Sequence, residues 1–365
     1  MIDYSELDSF SDQELKDFIE KATVEKHKSD KKQHAVKILL NSLYGALGTN
    51  HFRLYNVKCA EAITKTGQTI TAEAFSLFND YLDKVTGIPK DRIGFSDTDS
   101  AAVDMTDLVY KFHKRDDPFE DKLNTITKLC DKHFAKMLDD RFIQFAGHLN
   151  SMKNRIVMKR EKIASAILVA KKNYVVNVYD NEGVRYATPK LSVTGLESVK
   201  ASTPKFFRKK LEEGYKLCFD DDEEKIHKFV LSVHEELYNL HIDDLAGNTT
   251  VNNITLFQDG LGGYRTGTPG HVRAAIAYNN LVSASDQYQK INNGDKVKII
   301  QLKEPNPIKS KSICWIDKFP DDLIDPKYID REKDYQKFFI KPFTRVLDVL
   351  SWHTEYQPNL DDLFC

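Results

Sequence analysis

Two aspartates, Asp97 and Asp99, stand two residues apart in the stretch FSDTDS at residues 95–100. Ile93 precedes it and Ala101, Ala102 and Val103 follow, so residues 92–103 are expected to fold as strand, turn, strand. Carboxylates at i and i+2 in a tight turn between buried strands repel each other and lose solvation. A divalent cation offsets both effects, and magnesium needs only one or two carboxylates when substrate phosphates complete its shell. The same spacing suits a plain hairpin in which Asp serves its turn preference.

Upstream, residues 1–33 are polar with helical spacing, as in an exposed helix or helical tip, and 33–47 read as an amphipathic helix stopped by Gly48 as a glycine cap. At 100° per residue, Val36, Leu39, Leu40, Leu43 and Leu47 form one apolar stripe, and Lys37, Asn41, Tyr44 and Gly48 share another face. That face offers an ammonium, an amide and a phenol one turn apart, beside glycines that let a ligand approach the backbone. The cation suits phosphates, and the amide and aromatic suit a sugar and a base. A helix whose polar face is merely solvated has the same spacing.

Further along, 64–82 is a second helical pattern ended by Gly87, 107–149 is helical, and 155–185 alternates as strands with a turn at 180–183. Helices then dominate, with Ser202-Thr203-Pro204 as a helix start capped by a hydroxyl, an acidic inter-helix stretch at 220–224, and a hairpin signalled by the NNG turn at 292–294. At 365 residues the chain exceeds one core's comfortable size, so two or three domains are expected. No stretch approaches the roughly 20 apolar residues of a membrane span, and the acidic, polar start is no signal peptide, which implies a cytoplasmic protein. Five scattered cysteines without a C-x-x-C pair argue against a disulfide framework or a zinc site. The net charge of -2 disfavours nucleic acid, yet residues 151–172 carry seven Lys or Arg against one acid, Glu161, and 200–210 add five more and no acid. Each cluster alone suits a solvated face; two in a nearly neutral chain favour a phosphate-facing groove.

K-x-x-x-N-S-x-Y-G from Lys37 to Gly45, followed some fifty residues later by D-T-D-S, resembles motifs B and C of the family B DNA polymerases of the T-even phage type. The resemblance continues through Arg160-Glu161, the KKNY of Lys171 to Tyr174, Gly195-Leu196-Glu197 with Ser202-Thr203-Pro204, GHVR at 270–273, KEPNP at 303–307 with Cys314-Trp315, and Ile340-Lys341-Pro342. It implies an α+β architecture: an antiparallel palm sheet flanked by helices, partial fingers and a helix-rich thumb. The divisions expected from it are fingers 1–48, palm 49–194, thumb 195–356 and a clamp-binding tail 357–365.

What the resemblance implies for chemistry is two-metal nucleotidyl transfer with two Mg²⁺ ions. Asp99 would be a metal ligand, Asp97 an auxiliary carboxylate, and Glu161 and Ser100 supporting residues near the metals. Lys37 would meet the incoming deoxynucleoside triphosphate, with Asn41, Tyr44 and Gly45 lining the nascent base pair. Lys171, Lys172, Tyr174, Lys200, Thr203, Lys205 and Arg273 would touch primer–template DNA, and Leu360, Leu363 and Phe364 would dock into a sliding clamp. Two departures stand out. Phe95-Ser96 replaces the family's usual Tyr-Gly, and motif A (D-x-x-S-L-Y-P-S), which supplies the other principal metal-binding aspartate, is absent along with the exonuclease. The expectation is therefore a C-terminal subunit of a split polymerase that needs an N-terminal fragment. A non-catalytic DNA-binding module left from a disrupted gene is the alternative, and another metal-dependent phosphotransferase would leave the thumb landmarks unexplained.

Overall fold

In the computed structural model, which describes residues 10–97, 100–283, 285 and 287–355, the first helix begins at a capping box. The Ser11 hydroxyl accepts from the Glu14 N–H and the Glu14 carboxylate accepts from the Ser11 N–H at 2.8 Å, a serine-to-glutamate signature that the expected boundary at 33 overlooks. From there α1 (Asp12–Gly48) runs 37 residues unbroken, so the polar and amphipathic stretches are one helix. Gly48 is its last helical residue and not a left-handed cap; the chain leaves through an extended Thr49. The left-handed glycine belongs instead to α2 (Val57–Thr86), which Gly87 ends at φ 75°.

β1 (Ile93–Asp97) and β2 (Ser100–Val103) pair antiparallel, with Asp97 opposite Ser100. Ile93, Phe95, Ala101, Ala102 and Val103 are half-buried, so these are not the buried strands expected: two strands make too little sheet to be enclosed. Arg92, 2% exposed, ties the ribbon to α2. Its guanidinium pairs with Asp83 and donates to Thr86 Oγ1 at 2.9 Å and to the Ile88 carbonyl at 2.6 Å. These elements lie in the first of two units, Met1–Leu108; the second is Val109–Cys365.

α3 (Thr106–Phe112) crosses that boundary. The expected helical region 107–149 is broken at Pro118, from which α4 (Phe119–Lys128) runs through a π-helical turn, Leu129–Phe134, into α5 (Ala135–His148). β3 (Lys162–Ala170), β4 (Asn173–Asn181) and β5 (Val184–Thr194) form an antiparallel meander. Residues 155–161 are not strand, and most of β5 was not foreseen, because Pro189 and its charged neighbours hide an edge strand. The register between β4 and β5 shifts between Val178 and Asp180.

Pro204 itself is the N-cap of α6 (Lys205–Leu217) and Thr203 is 2% exposed, so no hydroxyl caps that helix. Asp222 from the acidic stretch does cap α7 (Glu223–Leu237). After α8 (Ile242–Leu245), β6 (Gly247–Thr250), α9 (Ile254–Phe257) and α10 (Gly270–Leu281), the turn at 292–294 leads into β7 (Lys296–Gln301). This strand is the centre of a β6-β7-β8 sheet, with β8 at Ser312–Trp315, so the expected hairpin is a three-stranded sheet whose first strand, GNTT, carries no apolar alternation. α11 (Arg331–Tyr335), a π-helical turn and α12 (Lys341–Leu350) follow, stacking Tyr335, Phe339 and Phe343 on one another. One core joins Ile167 and Val175 of the meander to Phe207, Leu211, Tyr215, Trp315 and Phe343, and the architecture is α+β.

Arg160 closes the far end of the meander. Its guanidinium donates to Asp180 at 2.5 Å and to Asp131 of the π-helical turn at 3.0 Å, and Gly183 N–H donates to Asp180 as well. Burial pushes the Asp180 carboxyl up, but the Arg160 and Gly183 hydrogen bonds, with the charges of Arg160 and Arg185, outweigh it and hold the group below its ordinary value. A carboxyl depressed on folding stabilises the fold above its unfolded pKa of about 3.9, and that gain is lost as pH falls through the folded value. Asp180→Asn is expected to cost about 3 kcal/mol at neutral pH. In denaturant unfolding at a series of pH values, the gap between wild type and variant should be constant above about pH 5 and close below about pH 4.

Candidate functional site

Lys37, Asn41 and Tyr44 recur at three- and four-residue spacing on α1, and all three are exposed. A side chain built at Gly45 would meet no atom within 4 Å, so this stretch of helix is open to a ligand. The apolar stripe is exposed too: Leu39 is 70% and Leu40 64% accessible, and α1 contains no buried residue.

In the same unit, the β1–β2 ribbon brings Asp97 and Ser100 opposite each other across the turn. Asp99 and the side chain of Asp97 lie outside the described residues. Phe95 and Ser96, the departures from Tyr-Gly, pair with Ala102 and Ala101, Phe95 half-buried and Ser96 exposed. Among the described residues no three His, Cys, Asp or Glu gather into a metal cage. A two-carboxylate donor set fits magnesium, which takes its remaining ligands from phosphate, water and other carboxylates.

In the second unit, β3 and β4 are joined by the two-residue turn Lys171–Lys172, both side chains exposed and Lys172 at φ 61°. Tyr174 is half-buried on β4. Glu161, exposed, directly precedes β3, anchored next to the Arg160 ion pairs, and its carbonyl accepts from Glu182 N–H at 2.6 Å. Lys200 pairs with Glu197 at 3.1 Å and Lys205 is exposed at the start of α6. Thr203 does not belong with them: at 2% exposure its side chain faces the protein and not a ligand.

Arg273, on the first turn of α10, donates through Nε to the Thr268 carbonyl at 2.7 Å and lies over the Tyr264 ring at 5.3 Å. It borders a cleft of about 580 Å³ that Lys309, Lys311 and Lys337 also line, with Glu304 the one carboxylate among the described lining residues. Sequence reasoning missed these three lysines, which are far apart in the chain. Their signal is adjacency: they follow or precede the KEPNP and Ile340-Lys341-Pro342 landmarks, while GHVR supplies Arg273. Four cations against one acid make the cleft suited to a polyanion. Leu360, Leu363 and Phe364 lie outside the described residues.

The model of DNA polymerase family B matches residues 12–112, the segment that holds α1, α2 and the β1–β2 ribbon. The DNA-directed DNA polymerase of Enterobacteria phage T4 is 31% identical over 99% of this chain and 42% of its own length. That of Escherichia phage RB69 is 30% identical over 90% of the chain and 38% of its own length. The chain is a T4-type family B DNA polymerase region. A third relative, DNA polymerase 1 of Sulfurisphaera ohwakuensis, is 25% identical over 74% of the chain and 27% of its own length. The polymerase region spans about two fifths of the length of the phage relatives. No helix among its described residues is long and apolar enough to cross a membrane.

Proposed function

We propose that this region carries the nucleotide-facing and primer-holding parts of template-directed DNA synthesis, and that a segment bearing motif A, supplied separately, completes its site. The observation that carries this reading is the exposed row of Lys37, Asn41 and Tyr44 on α1, with open space at Gly45, inside the segment that matches the family. The Lys37 ammonium would hold the triphosphate, a compact charge well suited to phosphate. Asn41, Tyr44 and Gly45 would line the nascent base pair. Asp99 and Asp97 would hold Mg²⁺ together with the motif A aspartate, with Glu161 and Ser100 supporting them. Bound there, the ions would neutralise the triphosphate and make the primer 3′-hydroxyl a better nucleophile. Lys171, Lys172, Tyr174, Lys200, Lys205 and Arg273 would hold primer–template DNA, the last together with the lysines of its cleft. Fingers, palm, thumb and tail would divide at 48, 194 and 356.

The 365-residue chain alone is expected to extend no primer, and to gain activity when mixed with a fragment that supplies motif A and the exonuclease. In that mixture Asp99→Ala should abolish incorporation and leave DNA binding close to wild type. Extension by the purified chain alone would refute the need for a second segment. DNA binding that never turns into incorporation would favour the alternative, a non-catalytic DNA-binding module.

Gly45 separates a working face from a merely solvated one. Alanine fits the space and raises helix propensity by about 1 kcal/mol, so Gly45→Ala should raise stability. If the nucleotide passes close to this backbone, the same variant should lower single-turnover incorporation and demand more nucleotide. Unchanged incorporation would return the face to solvent.

The tail is the last element of the proposal. Leu360, Leu363 and Phe364 are apolar side chains behind Pro358, and two such anchors in a groove contribute roughly 3–6 kcal/mol before ordering costs. Removing residues 360–365 should leave synthesis on short primers unchanged and abolish stimulation by the cognate sliding clamp on long templates.

A further inference from the structure

β5 ends at Thr194, opposite Tyr174, and the next residue lies against the β3–β4 turn. That residue is Gly195, at φ 71°. A Cβ built there would stand 2.1 Å from the Lys172 carbonyl oxygen and 2.3 Å from Asn173 Oδ1. The first contact is with backbone and cannot be relieved by rotating a side chain. No L-residue with a side chain fits without moving either the strand exit or the turn. Gly183, also left-handed at φ 88°, has nothing within 4 Å of such an atom, so φ alone does not set Gly195 apart.

Lys172 is itself left-handed, at φ 61°, an uncommon state for a residue with a side chain. The exit of β5 backs directly onto its carbonyl. Just beyond Gly195 the chain is anchored, with Leu196 fully buried and the Glu197 carboxylate held by Arg345 of α12 at 3.1 Å. The turn thus has a fixed wall behind it.

We infer that Gly195 is the positioning residue for the Lys171–Lys172 turn: by lacking a side chain it seats the turn in the one conformation that presents both ammonium groups to the phosphates of a primer strand. This rests on the proposal that these lysines contact DNA. Gly195 touches no DNA itself, so it acts only through them.

The test uses the full chain and a labelled primer–template duplex, with affinity measured across a salt series. Each lost phosphate contact lowers the salt slope by about one, so Lys171→Ala/Lys172→Ala should lower it by about two. Gly195→Ala is expected to lower the slope to the same extent although both lysines remain, and to add nothing in the triple variant. Gly183→Ala, which strains the backbone without a clash, should keep the wild-type slope. A wild-type slope for Gly195→Ala, or a loss that adds to that of the lysine pair, would overturn the role of Gly195. A wild-type slope for the lysine pair would overturn the DNA contact and the positioning role together. Should Gly195→Ala fail to fold, a glycine inserted between Lys171 and Lys172 keeps both charges and takes the turn off its wall. It should reproduce the slope loss, and a wild-type slope there would equally refute the proposal.

Discussion

Burial of one apolar core holds residues 167–347 of the second unit together, running from Ile167 and Val175 in the meander through Leu196, Phe207 and Leu211 to Trp315 and Phe343. Each fully buried side chain of this kind contributes roughly 1.5–3 kcal/mol relative to exposure. The exposed cations at the meander turn, at the start of α6 and on α10 sit on elements that this core fixes. The Lys171–Lys172 turn closes strands whose inner faces lie in it, Lys205 opens a helix that lays Phe207, Leu211 and Tyr215 into it, and Arg273 follows Val272, which is 1% exposed. The cations proposed to meet phosphate in this unit are thereby carried on packed elements, where little conformational freedom remains to be lost on binding.

How far the sequence could be read depended on whether a feature is local. The ribbon around Asp97, the end of α2 at Gly87, the turn at 180–183 and the acidic inter-helix stretch ahead of α7 all follow from short-range backbone preference, and all stand where expected. Features set by tertiary contact did not announce themselves. β5 is an edge strand containing Pro189, β6 has no apolar alternation, and the turn at 292–294 feeds a strand whose partners come from 247–250 and 312–315. Thr203 looked like a surface cap and is interior. The basic cleft draws on positions 273, 309, 311 and 337, a spacing that no one-dimensional pattern displays.

α1 shows the limit of periodicity from the other side. Its two faces are legible in the order of residues, because a 3.6-residue period separates Leu39, Leu40 and Leu43 from Lys37, Asn41 and Tyr44. Period alone does not say what covers the apolar face. No residue of the 37-residue helix is buried among the described residues, and its N-terminus is closed by the Ser11–Glu14 capping box.

The left-handed backbone at Lys172 carries a consequence for variation at that position. Asparagine or glycine adopts this conformation more cheaply, by about 1 kcal/mol, so either would be the choice of stability alone. On the proposed DNA contact, lysine there gives up part of that gain to keep a cation at the apex of the turn. Drift toward a more stable hairpin and retention of its charge pull this site in opposite directions. If the turn meets DNA as proposed, a thermostabilised version chosen for stability alone would lose its lysine here early.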